Sequence, residues 1–234
     1  MTLQAVITGD LVNSSAMNKQ QRAYLISELK LCFAKMQKQK RFSFQKAFEV
    51  YRGDSFQGIL NKPEQALRIS IILRTLLVKL NQQPLKTNSK IISKEGTKVV
   101  LKDADARIAI GIGTVTLKAR KVVESDGEAF NNSGKLLDVM KISGERIMIK
   151  CTDEKLNQNL QTSFTLLDFI MSKWTSQQCQ AIYELLINDY GQSQLAKKLK
   201  ISQPSVHQRL KISGWYPVEK LLKNYEDIVK EQAL

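Results

Sequence analysis

The pattern of apolar and polar residues changes near Cys151. Before that residue, short runs of β-branched and aromatic residues alternate with longer segments of helical period. After it, apolar residues recur only at helical spacing. The 234 residues are enough for one domain of about 150 residues and a smaller second one. We therefore predict an α+β domain over 1–151, a helical connector over 152–173 and an all-α domain over 174–234.

The first domain is predicted to alternate strands with helices. Its elements are the strand Leu3–Thr8, the helix Asn18–Lys38, the strands Phe44–Tyr51 and Ser55–Leu60, a helix from Pro63 to Asn81, the strand Arg107–Lys118, the helix Glu128–Met140 and the strand Arg146–Cys151. Residues 82–104 are polar and lysine-rich and are predicted to form a loop. This order is the split βαβ arrangement of ferredoxin-like domains, an antiparallel sheet with helices on one face.

The connector and the last domain carry too many apolar residues to be free linkers. The segment Leu166–Met171 predicts a helix that packs between the domains or across a dimer. Gly191 is predicted to end the helix that begins near Ser176. Trp215 and Tyr216 are interpreted as core residues of a small domain, in preference to base-stacking residues.

Residues Gln192–Lys211 have the pattern of a helix-turn-helix, with apolar residues spaced for two short helices across a tight turn. Ser202 is suited to cap the second helix and Pro204 to its first turn. The side chains able to read base edges are Gln203, Ser205, Gln208 and Arg209. Those placed to neutralise phosphates are Lys197, Lys198, Lys200 and Lys211. An ordinary helical hairpin with a solvated basic surface is the alternative.

The composition favours a polyanionic partner. The net charge is +14 and the pI is near 9.7, which attracts nucleic acid or an anionic membrane surface. No apolar run is long enough to span a bilayer, and the first residues lack the pattern of a secretion signal. Three separated cysteines and a single histidine form no metal or disulfide pattern, which favours a reducing cytoplasm.

Two carboxylates have positions that could hold a metal. Asp10 follows the first predicted strand, and Asp54 lies in the turn between the second and third. In a split βαβ sheet these strands are neighbours, so both carboxylates could bind a phosphate-bound Mg²⁺. Gly9 and Gly53 would let a triphosphate approach the backbone closely. The alternative is two turn aspartates without a metal, since Gly-Asp is common in turns.

Four segments, ITGDLVNSS, YRGDSFQG, RIAIGIGTV and DGEAFNNSGKLL, resemble the characteristic blocks of class III nucleotidyl cyclases and related palm-type polymerase domains. The resemblance implies that Asp10 and Asp54 bind metal, Mg²⁺ or Mn²⁺, and that Gly127 belongs to the nucleotide site. It assigns Asn131 and Lys135 to the ribose and phosphate in the transition state. Those cyclases assemble the site between two subunits, which implies a homodimer.

The base-selecting positions match the cyclases only in part. Glu124 lies where a base-contacting Asp is expected, whereas Val50 stands in place of the Lys that adenine-selective cyclases carry. Lys135 stands in place of an Arg, and a point charge does not replace a planar bidentate donor. The resemblance therefore implies metal and nucleotide binding more directly than it implies catalysis.

The combination of the two halves resembles the SatD family of small bacterial proteins, because ITGD opens the first half and WTSQQCQAIYELL and SQPSVHQRLK occur in the second. We expect a cytoplasmic regulator that binds double-stranded DNA and carries a domain binding a nucleotide or a metal-nucleotide. One alternative is an active Mg²⁺-dependent nucleotidyl cyclase or nucleotidyltransferase that the helix-turn-helix localises or regulates. Another is a structural protein whose cyclase-like domain serves for dimerisation.

Overall fold

A computed structural model describes residues 3–51, 53–81, 101–116 and 126–232 of the chain. Five strands form one sheet: β1 (Gln4–Leu11), β2 (Phe44–Tyr51), β3 (Ser55–Leu60), β4 (Ala106–Gly113) and β5 (Ile147–Lys150). The predicted loop over 82–104 lies outside the described residues except for its last four positions, and the predicted strand Arg107–Lys118 ends earlier, at Gly113.

Eight α-helices complete the described structure: α1 (Lys19–Gln37), α2 (Ala66–Val78), α3 (Glu128–Ser143), α4 (Glu154–Ser172), α5 (Ser176–Asn188), α6 (Gln192–Leu199), α7 (Gln203–Ile212) and α8 (Trp215–Gln232). Local sequence features mark the N-termini of several helices. Asn18 and Gln21 form a reciprocal capping box at the start of α1. Pro63 begins a 3-10 turn that leads directly into α2.

The strand order is β2-β3-β1-β4-β5, and the pairs β2–β3, β3–β1 and β1–β4 are antiparallel. β5 is parallel to β4. The structure therefore confirms an α+β architecture, whereas the prediction of a purely antiparallel sheet is wrong at β5. The physical reason is the connection: the chain crosses over through α3 between β4 and β5, and such crossovers join parallel strands.

Helices cover both faces of the sheet, so the prediction of helices on one face is also wrong. Side chains alternate along β1: Ile7 packs in the large core with α1 and α2, whereas Thr8 accepts and donates hydrogen bonds beneath α3. Gly111 of β4 lets α3 approach closely, because a Cβ there would overlap the backbone of Ala129 and Ser133. The crossover helix thus occupies the face opposite α1 and α2.

The helices that follow β5 join the same hydrophobic core as the sheet, and α5 and α8 pack against α2. That core runs from the sheet through α4, α5 and α8, and it includes Leu67, Phe164, Ile182 and Tyr225. The hydroxyl of Tyr225 donates to the carbonyl of Pro63 at 3.0 Å, which attaches α8 to the start of α2. In the described part of the chain, no helix is long and apolar enough to cross a membrane.

Arg74 lies in the middle of α2 with only 2% of its side chain exposed. Its guanidinium binds two carboxylates, that of Asp105 before β4 at 3.0 Å and that of Asp168 on α4. Asp168 also accepts the backbone N–H of Arg146 at 3.2 Å. A buried charge requires such pairing, since desolvation costs several kcal/mol in its absence. The network therefore joins the sheet, α2 and α4.

Replacing Arg74 by Ala is expected to lower the free energy of unfolding by about 3–5 kcal/mol, because two largely buried carboxylates lose their counter-charge. Urea denaturation at neutral pH measures the change. The matched control is Arg68→Ala, which breaks the more exposed ion pair with Glu226 and should cost about 0–1 kcal/mol. Equal losses for the two variants would contradict a special role of the buried network.

Candidate nucleic-acid interface

The segment predicted as a helix-turn-helix forms the helices α6 and α7, separated by residues 200–202. Lys200 adopts a left-handed backbone with φ of 56°, which ends α6 and turns the chain. The side chain of Ser202 accepts the backbone N–H of Ser205 at 3.2 Å and caps α7, as its position predicted. Leu195 of α6 and Val206 of α7 are completely buried, so each helix contributes one inner face.

The outer face of α7 carries most of the residues that the sequence predicted to read bases. Gln203, Ser205 and Gln208 are exposed, whereas Arg209 is half-buried. Arg209 donates to the backbone and side-chain oxygens of Gln177 on α5, both at 3.4 Å. Gln203 accepts from the Ser193 hydroxyl at 3.3 Å, and the Ser205 hydroxyl lies 2.7 Å from that of Ser202. Some polar side chains of α7 therefore form hydrogen bonds within the protein, and others, such as Gln208, are exposed to solvent.

Positive charge accumulates along the segment that forms this surface. The predicted phosphate-binding residues Lys197, Lys198, Lys200 and Lys211 are all exposed. Between Asp189 and Glu219 the sequence contains no Asp or Glu. A surface with one sign of charge attracts polyanions over distances of about 8 Å at physiological ionic strength.

Two predictions about the neighbouring residues are wrong. α5 ends at Asn188 through the left-handed Asp189, and Gly191 instead precedes α6 as its N-cap. Asn and Asp tolerate left-handed conformations, which left the glycine free for the next helix. Trp215 is buried as expected, but Tyr216 is 36% exposed and its hydroxyl lies 3.0 Å from Nδ1 of His207.

The carboxylate of Asp10 lies at the end of the sheet on the face covered by α3. The strand register places Asp10 opposite Ser55 of β3 and Arg107 of β4. Arg107 donates to both carboxylate oxygens, at 3.2 and 3.1 Å. Arg107 is not recognisable as a partner of Asp10 from the sequence, because the register between β1 and β4 sets this pairing and no local motif does.

Asp54 lies in the β2–β3 turn, as predicted, and its backbone carbonyl accepts the N–H of Leu11. Its carboxylate accepts from the hydroxyls of Ser14 at 2.5 Å and Ser55 at 3.4 Å. Arg22 of α1 donates to the carbonyl of Ser14 at 2.7 Å and so fixes the chain that follows β1. Asp10 and Asp54 thus lie at adjacent strand ends with different hydrogen-bond partners.

These carboxylates fit a magnesium ion only in combination with phosphate oxygens. Within the described ranges, no three His, Cys, Asp or Glu residues are grouped to hold a metal. Mg²⁺ in nucleotide sites is held by one or two protein carboxylates, with phosphates and water as its other ligands. Among the described residues, the hydroxyls of Ser14 and Ser55 bind the Asp54 carboxylate, whereas Asp10 would have to release Arg107 to bind a metal.

The glycines near these carboxylates have packing and turn roles. A Cβ on Gly9 would overlap the ring of Phe56, so the absent side chain makes room for this aromatic residue. Gly53 has φ of 83° in the hairpin turn, and Gly127 has φ of 133° before α3. Both values favour glycine whether or not a nucleotide binds.

The remaining residues suggested by the cyclase resemblance lie elsewhere. Asn131 and Lys135 are exposed on α3, on the side away from Ser133, which contacts the sheet. The structure therefore does not bring them to Asp10 and Asp54 within one chain. Glu124 lies outside the described residues. Val50 packs against the hydrophobic core.

The three cysteines are unsuited to ligand binding or nucleophilic chemistry. Each is buried, and burial raises the pKa of Cys32 to about 11 and those of Cys151 and Cys179 to about 12. The thiols are therefore protonated at neutral pH, whereas metals and electrophiles react with the thiolate. This agrees with a structural role in the core.

The sequence model of the SatD family matches residues 75–221, which is more than half of the chain. The chain belongs to the SatD family. The match extends from α2 to the first turns of α8. It includes Asp105 and Asp168, which bind Arg74, and the α6–α7 surface. A search of curated proteins found no match.

Proposed function

We propose that this protein is a double-stranded DNA-binding regulator in which α6 and α7 form a helix-turn-helix and α7 enters the major groove. The observation that carries the proposal is the surface from Gln192 to Lys211, where exposed lysines surround an exposed, capped helix without any carboxylate. Helices of this kind place their first residues against base edges while lysines contact phosphates. A solvated hairpin would not require this segregation of charge.

The amide and hydroxyl groups on α7 support reading of sequence as well as shape. Gln208 is exposed, and a glutamine can bind adenine through two hydrogen bonds. Arg209 would have to release Gln177 to reach a base, and its contacts at 3.4 Å are at the long end of the hydrogen-bond range. The N-terminal part of α7 is therefore proposed as the main reading surface.

We propose, as a second activity, that a nucleoside triphosphate with Mg²⁺ or Mn²⁺ binds at the ends of β1 and β3. The adjacency of Asp10 and Asp54 and the strand order β2-β3-β1-β4 support a ferredoxin-like, palm-type assignment of this part of the sheet. Asp54 would bind the metal, and the hydroxyl of Ser14 would contact the metal-bound phosphates. The bound metal would supply charge neutralisation of the phosphates.

A homodimer is the third component of the proposal. Leu166 and Phe169 point outward from α4, 59% and 63% exposed, although both are large and apolar. Asn131 and Lys135 could meet Asp10 and Asp54 only from a second copy. A twofold dimer would also present two α7 helices to a palindromic site.

Replacing Lys197, Lys198 and Lys200 together by Ala is expected to weaken DNA binding and its salt dependence. Each lost phosphate contact reduces the magnitude of the negative slope of log K against log salt by about 0.9, so the salt dependence should weaken by up to about 2.7. Fluorescence anisotropy with a labelled duplex between 50 and 200 mM salt, the range in which such contacts are most visible, measures both quantities.

The matched control replaces Lys30, Lys38 and Lys40, which are exposed on or just after α1, and removes the same charge. Its slope should stay close to that of the unmodified protein. If both triple variants lose the same affinity, binding depends on net charge alone and the proposed interface is wrong.

Mg²⁺ with at least one of the four nucleoside triphosphates is expected to raise the melting temperature, because a ligand that binds only the native state stabilises it. Asp54→Asn should remove the metal-dependent part of this rise, whereas Asp138→Asn on the exposed side of α3 should leave it intact. Thermal unfolding measures the shift, and product analysis of the same mixtures reveals cyclase or transferase activity. Identical melting curves with and without every nucleotide would contradict the site.

Light scattering at micromolar concentration is expected to give twice the chain mass of 26.6 kDa. Phe169→Lys should shift the protein toward the monomer, because a charged residue cannot be buried at an apolar interface without a partner. Lys155→Ala, at the far end of α4, serves as the control. A strict monomer with and without DNA would exclude the dimer.

A further inference from the structure

His207 is the single histidine of the chain, and it is exposed on the proposed recognition helix. Helical spacing places it with Gln203 and Lys211 on one side of α7. Arg209 lies on the other side, where it contacts α5. The imidazole Nδ1 is 3.0 Å from the hydroxyl of Tyr216, and that hydroxyl also lies 3.4 Å from the side-chain nitrogen of Gln192.

Tyr216 directly follows a buried and hydrogen-bonded part of the structure. The preceding Trp215 is buried, and Gly214 makes the turn between α7 and α8 with φ of 66°. The indole N–H of Trp174 donates to the carbonyl of Ser213 at 2.6 Å. Buried contacts of the neighbouring residues therefore fix the position of Tyr216 relative to α7.

The hydrogen bonds among Gln192, Tyr216 and His207 are compatible with one simple arrangement of the protons. The amide nitrogen of Gln192 can only donate, so the Tyr216 oxygen accepts from it. The single proton of the hydroxyl can then be donated to Nδ1 of His207, which accepts it in one of the two tautomers of the neutral ring. A neutral imidazole that accepts at Nδ1 carries its proton on Nε2.

We propose that His207 is a specificity-determining residue that presents Nε2–H to an acceptor on a base edge in the major groove, and that Tyr216 positions it. This rests on the proposed DNA binding by α7. The acceptors available in the major groove are N7 and O6 of guanine, N7 of adenine and O4 of thymine. Guanine offers two adjacent acceptors and is the expected partner.

The tautomer can be observed directly, because one histidine gives one set of imidazole signals. Long-range proton–nitrogen NMR spectra of the full chain, purified without a histidine tag, should show protonated Nε2 and unprotonated Nδ1 in the neutral imidazole. Tyr216→Phe should move both nitrogen shifts toward a mixture of tautomers. Tyr24→Phe removes a hydroxyl from α1 and should leave the spectrum unchanged.

The functional test uses a duplex selected by the unmodified protein from a random-sequence pool, compared with an unselected duplex. His207→Ala should lower affinity for the selected duplex about two- to tenfold, as expected for one hydrogen bond, and leave unselected DNA unaffected. Tyr216→Phe should have a smaller effect of the same kind. Lys211→Ala, which removes a phosphate contact, should weaken both duplexes equally.

His207→Gln supplies the conservative variant, because its amide nitrogen can take the place of Nε2 without a choice of tautomer. His207→Gln should retain part of the preference for the selected duplex. Adding Tyr216→Phe to this variant should not change that preference further. Unchanged preference in His207→Ala, or an unchanged imidazole spectrum in Tyr216→Phe, would overturn the inference while DNA binding itself stands. Failure of the unmodified protein to bind any duplex overturns both.

Discussion

Helix α2 is surrounded by protein on nearly every side, and the burial of Arg74 within it is the constraint on which the arrangement of the other elements depends. A guanidinium removed from water is stable only if carboxylates surround it with good geometry. Asp105 binds Nε and Nη2 of this guanidinium, and Asp168 binds Nη1. The position of the connector helix α4 relative to the sheet is therefore fixed by charge as well as by apolar packing.

The two regions of functional interest are joined through this network. Asp105 leads directly into β4, and two residues later Arg107 binds Asp10 at the strand ends. Asp168 belongs to α4, which continues into α5 and the helices of the basic surface. The hydrophobic core is likewise continuous from the sheet to α8. The strand ends and the α6–α7 surface thus adjoin the same hydrophobic core.

The basic surface has a different physical origin from the core. Four exposed lysines within and around α6 and α7 repel one another and contribute nothing to packing, and salt only partly screens that repulsion. The stability of the helices comes instead from Leu195, Val206 and Leu210 on their inner sides. Packing and charge are therefore placed on opposite sides of the same short helices, which leaves the outer sides available for a polyanion.

Features that depend on a few neighbouring residues were predictable from the sequence. The Ser202 cap, the start of α1 and the bounds of β2 and β3 follow from local hydrogen bonding and side-chain alternation, and the structure has them as predicted. The order of strands and helices follows from the change of period along the chain. These signals act within one turn or one strand, so tertiary contacts do not have to be known.

Features that depend on distant residues were decided only by the tertiary structure. Asp168 lies 94 residues from Arg74, and Arg107 lies 97 from Asp10, so neither pairing leaves a local pattern. Local sequence does not predict the parallel direction of β5, the helix on the second face of the sheet or the contact of Tyr216 with His207 either. Each results from strand register or the docking of whole helices, which the summed packing of many elements determines.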